Sequence, residues 1–393
     1  MAEPALHQSS ARDHATATIS VLMFASGATA VSNSIIFAAL GDLQDKYGFA
    51  DLGLGLIAGI GFLFGLITQV FVAPLADSHK PKNLMVLGLA FAAVGSLVFA
   101  FGDSLWQFII GRALVGVSFG CTQPAARAIA ANLDKSRAAE RLGKLAGVET
   151  AGIVGGPFIG GIMLDPLGLR WTFLVFAIVG SVASLTLSAK HLPTLPSNSE
   201  SRRLSLVLLR HPGVRTVALT TMSLFLPIGV YDALWDRYLT DRGASNFVVG
   251  LSFLLYGIPF IILARAGGRL ADKWGPLRVA LYAIFLLAPI VTGYGLAATP
   301  LAIILVSILE GIIQAATVPA MQASMSQVAP EGRAAAAQGL SGASNLIGAS
   351  MTAFFSPWVY GAHGPVWAFG GVAAAMLTLS LIAQASARRH KLI

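Results

Sequence analysis

The stretch "GIVGGPFIGG", Gly152 to Gly161, puts five glycines and a proline into ten residues of an apolar run from Leu142 to Leu164. A run of that length reads as a helix able to cross about 30 Å of hydrocarbon, yet glycine and proline are the poorest helix formers. In a bilayer the helix survives them, because no water is present to take up the backbone N–H and C=O groups. Gly152, Gly156 and Gly160 recur every four residues and so line one face. Such a stripe lets a neighbouring helix backbone approach closely. Pro157 removes the hydrogen bond to the carbonyl of Ile153 and predicts a bend there.

The rest of the chain has the same character. Of its 393 residues 55% are hydrophobic and 11% charged, far below the roughly 25% charged of soluble domains. Twelve apolar segments follow one another, at about 18–40, 52–76, 83–102, 105–131, 142–164, 171–189, 216–238, 246–266, 279–297, 300–328, 336–360 and 366–385. The expected fold is an all-α membrane protein of twelve transmembrane helices. The first sixteen residues are polar and the first apolar run is too long for a signal-peptide core, so no cleaved leader is expected. Cys121 is the single cysteine, which rules out an intrachain disulfide.

The net charge of +8 is a topology signal. Twenty of the 26 Lys and Arg residues fall in the termini and alternate loops on one side, while Lys46, Arg170, Arg237 and Arg242 lie on the other. Arg112 and Arg127 fall within a segment. By the excess of basic residues in cytoplasmic loops, both termini are cytoplasmic. The basic charge then needs no nucleic acid to explain it, and none is expected as a partner.

The chain also repeats itself. An offset of 195 carries Gly48 to Gly243, Leu75-Ala76-Asp77 to Leu270-Ala271-Asp272, and Pro124 to Pro319. An offset of 196 carries Arg137 to Arg333, Gly152 to Gly348, Trp171 to Trp367 and Phe173 to Phe369. The expected organisation is a tail at 1–17, a six-helix bundle at 18–189, a polar linker at 190–215, a second bundle at 216–385 and a tail at 386–393. Parallel six-helix repeats are a transporter architecture, with the substrate path between them near the midplane.

At this point the chain resembles the major facilitator superfamily over essentially its whole length. "GRLADKWGPLR", Gly268 to Arg278, is similar to that superfamily's loop signature between helices 2 and 3 and its echo between 8 and 9. The resemblance implies a cytoplasmic gate of Gly268, Asp272, Gly275 and Arg278, with a tight turn at Gly275. Asp272 would then stand at the membrane edge, where it can meet a helix N-terminus or an arginine. The first copy, "APLADSHKPKN", keeps Asp77 but has Ala73 and Lys80 where glycines are expected, and Pro81 where a basic residue is expected. Gly152, Gly156, Pro157, Gly160 and Gly161 resemble the helix-5 antiporter motif of the superfamily's proton-coupled drug exporters, with every position filled. The second half has Thr352 and Ala353 in place of the Gly-Pro pair, so the device belongs to one half.

Charges inside a membrane are costly and usually face the bundle interior. Arg112 lies about seven residues into its segment, roughly 10 Å deep at 1.5 Å per residue. "RALVG" resembles the superfamily's helix-4 motif, whose arginine is associated with proton coupling. Glu310 lies near the centre of its segment, too deep to snorkel, and needs a partner, a proton or a water-filled cavity. Glu149 lies one turn before the glycine stripe and faces either the cavity or a solvated mouth. Asp232, beside Tyr231 and Trp235, could draw cations into an aromatic-lined mouth, while Asp236 and Arg237 read as interfacial anchors. Arg127 reads as a gate charge, and Asn33, Gln123, Gln314 and Asn345 as polar candidates for the cavity. His79, His211 and His363 lie in loops without metal-ligand spacing, and no phosphate-binding loop is present.

These expectations converge on a proton-coupled secondary transporter, not an enzyme, that exports a small amphipathic or drug-like compound by alternating access. It would act as a monomer in the cytoplasmic membrane, with the substrate, protons and lipid as partners and no cofactor. A sugar, amino-acid or other metabolite transporter of the same superfamily stays open, as does a transport-inactive sensor or scaffold.

Overall fold

The computed structural model describes residues 3–72, 81–133, 138–190, 192, 206–331 and 333–393. Among the described residues every regular element is helical and no strand occurs. The first half comprises α1 (Glu3–Ser34), a 3-10 turn (Ile35–Ala38), α2 (Leu40–Tyr47), α3 (Asp51–Phe71), α4 (Pro81–Phe101), α5 (Leu105–Leu133) and α6 (Ala138–Ala189). A second 3-10 turn (Leu206–Arg210) precedes α7 (Pro212–Thr240), α8 (Asn246–Trp274), α9 (Pro276–Leu296), α10 (Pro300–Val328), α11 (Ala334–His363) and α12 (Pro365–Arg389). Proline opens α7, α9, α10 and α12, at the position where its missing N–H removes no helical hydrogen bond.

Ten of these helices are long and apolar enough to cross a membrane. α6 carries two passes, because Gly168 breaks it with φ 71° and ψ 171°. α11 is the remaining pass; at 30 residues it is long enough, but Gln338, Ser341, Ser344, Asn345 and Ser350 dilute its apolar content. The twelve expected segments are thus present. The repeat is also visible in the backbone. Gly48 and Gly243, 195 residues apart, both turn the chain at positive φ (68° and 80°), as do Gly168 and Gly364, 196 apart (71° and 83°).

Within the first half α1 packs on α6, α4 on α5 and α6, and α3 on α5; within the second α7 packs on α11 and α12, α8 on α10, and α9 on α10 and α12. The halves meet where α3 crosses α11, where α6 crosses α8, and where α2 and the first 3-10 turn rest on α7. Glycines set the closeness of these crossings. A side chain at Gly55 would run into the carbonyl of Ala353 on α11 at 3.0 Å, and one at Gly250 into the carbonyl of Pro157 on α6 at 2.6 Å.

α6 keeps helical backbone angles through Pro157 and leaves them at Gly168, where the φ above suits a residue without a β-carbon. Asp77 lies outside the described residues, as do the end of the second expected segment and 193–205 of the expected linker.

Candidate functional site

Arg112 on α5 is the most deeply buried basic side chain of the interior, with 1% of it exposed. Gly61 of α3 makes room for it, since a β-carbon there would collide with the guanidinium stem. Its Nη1 donates to the carbonyl of Asn33 at 2.6 Å and, more distantly, to Asn33 Oδ1 at 3.5 Å. Its Nη2 donates to Asp232 Oδ2 at 2.5 Å, an ion pair that joins the halves. The guanidinium also lies over the ring of Phe37, 5.6 Å from its centroid. A buried charge survives in a protein interior only when paired, and Arg112 and Asp232 satisfy that need for each other. The expectation that Asp232 opens an aromatic mouth to cations is therefore corrected: its carboxylate is buried and already carries a cation. Asn33 serves chiefly through its main-chain carbonyl.

The aromatic residues beside Asp232 instead surround Glu310. That carboxylate is wholly buried on α10. Its Oε2 accepts from the Tyr231 hydroxyl of α7 at 2.7 Å and the Tyr294 hydroxyl of α9 at 2.6 Å. Its Oε1 has no hydrogen-bond partner. It lines a cavity together with Phe37, Ile153, Val154, Ile228, Tyr231, Trp235, Ser252, Phe253, Tyr256, Tyr294 and Ser307. The walls come from the 3-10 turn and α6 of one half and from α7 to α10 of the other. Tyr294 and Tyr256 were not among the expected site residues. A tyrosine in an apolar segment gives no sign of which helix it will face, and the only available signal was that a buried carboxylate requires donors.

Glu149 forms a separate pair. It is buried on α6 and accepts from Arg127 of α5, whose side chain is 53% exposed. The Gln123 amide, oriented to donate, faces the same carboxylate. Both alternatives for Glu149 are thus partly met: a buried carboxylate and a partner reaching water. Gln314 lies one turn beyond Glu310, and its Oε1 accepts from Thr317 at 2.5 Å. Asn345 is half-buried on α11 and makes no hydrogen bond among the described residues.

The glycine motif builds two seams. A β-carbon at Gly152 would meet Ala30 at 2.7 Å and one at Gly156 the carbonyl of Val31 at 3.0 Å, while Gly160 abuts Ile35, so this face closes on α1 and its 3-10 turn. Ser34 Oγ crosses the seam to the Gly152 carbonyl at 3.1 Å. Gly161 faces the other half instead, against Asn246 and Gly250 of α8.

Of the expected cytoplasmic gate, Gly275 makes the tight turn with φ 90°, and Gly268 is half-buried beside Pro319. Asp272 and Arg278 are exposed. Among the described residues Asp272 forms no ion pair with an arginine.

On the opposite side a further correction appears. Asp236, expected as an interfacial anchor, is buried, and its Oδ2 accepts from the Gly41 N–H at 2.6 Å, in the first turn of α2. Arg237 does sit at the surface and pairs with Asp45 of α2 and with Asp241. Asn246 Nδ2 donates to Asp42 and to Asp165, each at 2.9 Å. α2 lies beyond the first span. Burial holds the Asp42 carboxyl above its ordinary value of 3.8; the Asn246 donor pulls it back and the Asp165 and Asp45 carboxylates push it up.

Comparison with known proteins places these features in a family. The sequence profile described as Major Facilitator Superfamily matches residues 22–235 and again 216–391. Multidrug resistance protein MdtG of Rahnella sp. (strain Y9602) is 27% identical over 278 residues, covering 68% of this chain and 67% of that one. The protein of the same name from Salmonella schwarzengrund (strain CVM19633) is 28% identical, over 68% of this chain and 69% of its own. Among solved structures, a bacterial homologue of the human lysosomal transporter Spinster, inward-facing and unoccupied, superposes with TM-score 0.72 at 16% identity, over 95% of each chain. The nucleoside transporter NupG superposes with TM-score 0.77 at 12% identity, over 95% of this chain and 99% of that one. At these identities the structural likeness concerns the fold.

Proposed function

Because the chain belongs to the Major Facilitator Superfamily, we propose that it is a secondary transporter that exports a small amphipathic compound in exchange for protons. The observation that carries this reading is Glu310: a single carboxylate, wholly buried, in the wall of a cavity between the two halves. A carboxylate in such a place needs a proton, a cation or access to water to be tolerated, and a proton carrier needs such a group. The relatives named as multidrug resistance proteins support an amphipathic cargo, and so does the aromatic and aliphatic lining of the cavity.

The mechanism follows from which contacts join the halves. Arg112–Asp232, Asp236–Gly41, Arg237–Asp45 and Asn246–Asp42 lie from the middle of the bundle toward the side opposite the termini. That side is closed. With the termini in the cytoplasm, the cavity loads from the cytoplasm in this state. Opening to the exterior requires these contacts to separate as the halves rock. The Arg112–Asp232 ion pair locks the closed side, and Glu310 exchanges the proton. Glu149, paired with half-exposed Arg127, serves as a relay toward the cytoplasmic mouth. The Gly152–Gly161 seams let α6 slide closely on α1 and α8. The site is complete within one chain in the cytoplasmic membrane, and no cofactor is required.

The test is transport from proteoliposomes loaded with a fluorescent amphipathic compound. Transport should accelerate when a proton gradient is imposed and collapse with a protonophore. Glu310→Gln should abolish that acceleration. Equal rates with and without the gradient would exclude proton coupling.

A further inference from the structure

Resting on the exporter reading above, we propose that Phe37 is a positioning residue that reports cargo in the cavity to the closed side. The 3-10 turn Ile35–Ala38 carries the signal by drawing Gly41 away from Asp236. The turn is anchored at both ends, to different halves. Just before it, the Asn33 carbonyl accepts from Arg112 at 2.6 Å and Ser34 Oγ donates to the Gly152 carbonyl at 3.1 Å, both within the first half. Just after it, the Gly41 N–H donates to Asp236 Oδ2 of the second half at 2.6 Å. Between the anchors lie four residues of 3-10 helix, whose hydrogen bonds are poorer than those of an α-helix. Such a stretch within a longer helical run often marks a hinge.

The downstream anchor completes α2. Its N-cap, Ala39 (φ −130°, ψ −6°), has no side-chain oxygen to accept from the first N–H groups of the helix. Asp236 supplies that acceptor from the other half. Gly41 lets the carboxylate come this near, since a β-carbon there would stand 3.0 Å from Asp236 Oδ2. The first turn of α2 is therefore capped while the halves are closed and uncapped when they part. A shift of about 1 Å is enough, because an N···O separation beyond about 3.5 Å is no hydrogen bond.

Phe37 brings the cavity to this turn. It is buried and stands in the cavity wall, with its ring 5.8 Å from that of Phe253 on α8 and 5.6 Å from the Arg112 guanidinium. The other described wall residues of the first half, Ile153 and Val154, stand on the long helix α6. Phe37 is separated from Gly41 by three residues only. In the second half Tyr231 and Trp235 adjoin Asp232 and Asp236, but they stand on α7, helical from Pro212 to Thr240, and Trp235 is tied to Ser252. The compliant path is the turn. An apolar cargo that inserts between Phe37 and Phe253 replaces one contact between rings with two, and does so only when Phe37 is displaced. That difference in contacts is what biases the equilibrium toward opening.

The experiment uses the full chain in lipid nanodiscs with spin labels at Asp103→Cys and Ala298→Cys. These exposed positions lie one on each half, in the α4–α5 and α9–α10 connections of the closed side. N-phenyl-1-naphthylamine, whose fluorescence follows its binding, is the cargo probe. In the wild type it should lengthen the distance between the labels and speed amide exchange of peptide 40–47 about tenfold. Phe37→Ala should bind the probe within about threefold of the wild type and lose both responses. Phe37→Leu, which keeps most of the bulk, should restore them. Asp236→Ala should open the closed side without probe, in the Phe37→Ala background as well, because it acts downstream of Phe37. The proposal is overturned if Phe37→Ala opens as the wild type does. It is equally overturned if that variant binds more than about tenfold more weakly and regains both responses at saturating probe, since Phe37 is then a cargo contact alone. Should Phe37→Ala fail to fold, the wild-type exchange decides: bound probe that leaves 40–47 unchanged removes the link. If both responses hold but no proton gradient moves the probe in proteoliposomes, the exporter reading fails and the link stands. If Phe37→Ala transports the probe as fast as the wild type, the link fails and the exporter stands.

Discussion

Arg112 and Asp232, 120 residues apart in the chain, meet at 2.5 Å in the interior and tie α5 of one half to α7 of the other. Removing one partner leaves the other charge buried and unpaired, which costs about 3–5 kcal/mol. Arg112→Met or Asp232→Leu alone should lower the unfolding temperature of the purified protein markedly. The double variant should recover most of the loss while abolishing coupled transport. A single variant that unfolds like the wild type would show that the pair does not hold the halves.

Gly161 lies where α6 meets α8, with Gly250 Cα 3.2 Å from the position a β-carbon would take. Gly161→Ala should wedge the halves and cost about 1–3 kcal/mol by overpacking. Gly155, whose side-chain position is open, is the control: Gly155→Ala should be neutral or slightly stabilising. Thermal unfolding of the two variants checks this, and equal effects would contradict it.

The turn from α8 to α9 depends on Gly275, with φ 90° and ψ 124°. Any other residue is strained there by about 1–3 kcal/mol. Gly275→Ala should lower stability by that amount although nothing crowds the site, a loss that denaturation in mild detergent would reveal.

Asp42 predicts a pH dependence of stability where α2 meets Asn246 of α8. Its carboxyl is held above 3.8, so folding favours its protonated form. Its contribution is therefore fully present at and below about 3.8 and is lost as pH rises through the raised folded value. Asp42→Asn should flatten this part of the stability profile, and Asn246→Ala should enlarge it by removing the donor to the carboxylate. Unfolding temperatures across the acid range test both. A wild-type profile identical to that of Asp42→Asn would remove Asp42 from the dependence.

Twelve helices and two repeats were legible in the sequence, because each rests on local information. Bilayer-length apolar runs and the four-residue spacing of Gly152, Gly156 and Gly160 need no knowledge of what lies opposite. Arg112 and Glu310 stood out for the same reason: a charge in an apolar run is conspicuous wherever its partner is. The partners themselves were decided by the tertiary structure. Asp232 goes to Arg112 rather than to a cation mouth, Tyr231 and Tyr294 go to Glu310, Asp236 goes inward to Gly41, and Asp272 stays exposed. Hydropathy and helical period place a residue at a depth and on a face of its own helix. Which face meets which neighbour is set by how twelve helices rotate and pack together, and that packing brings into contact residues as far apart as Asp42 and Asn246, 204 positions along the chain.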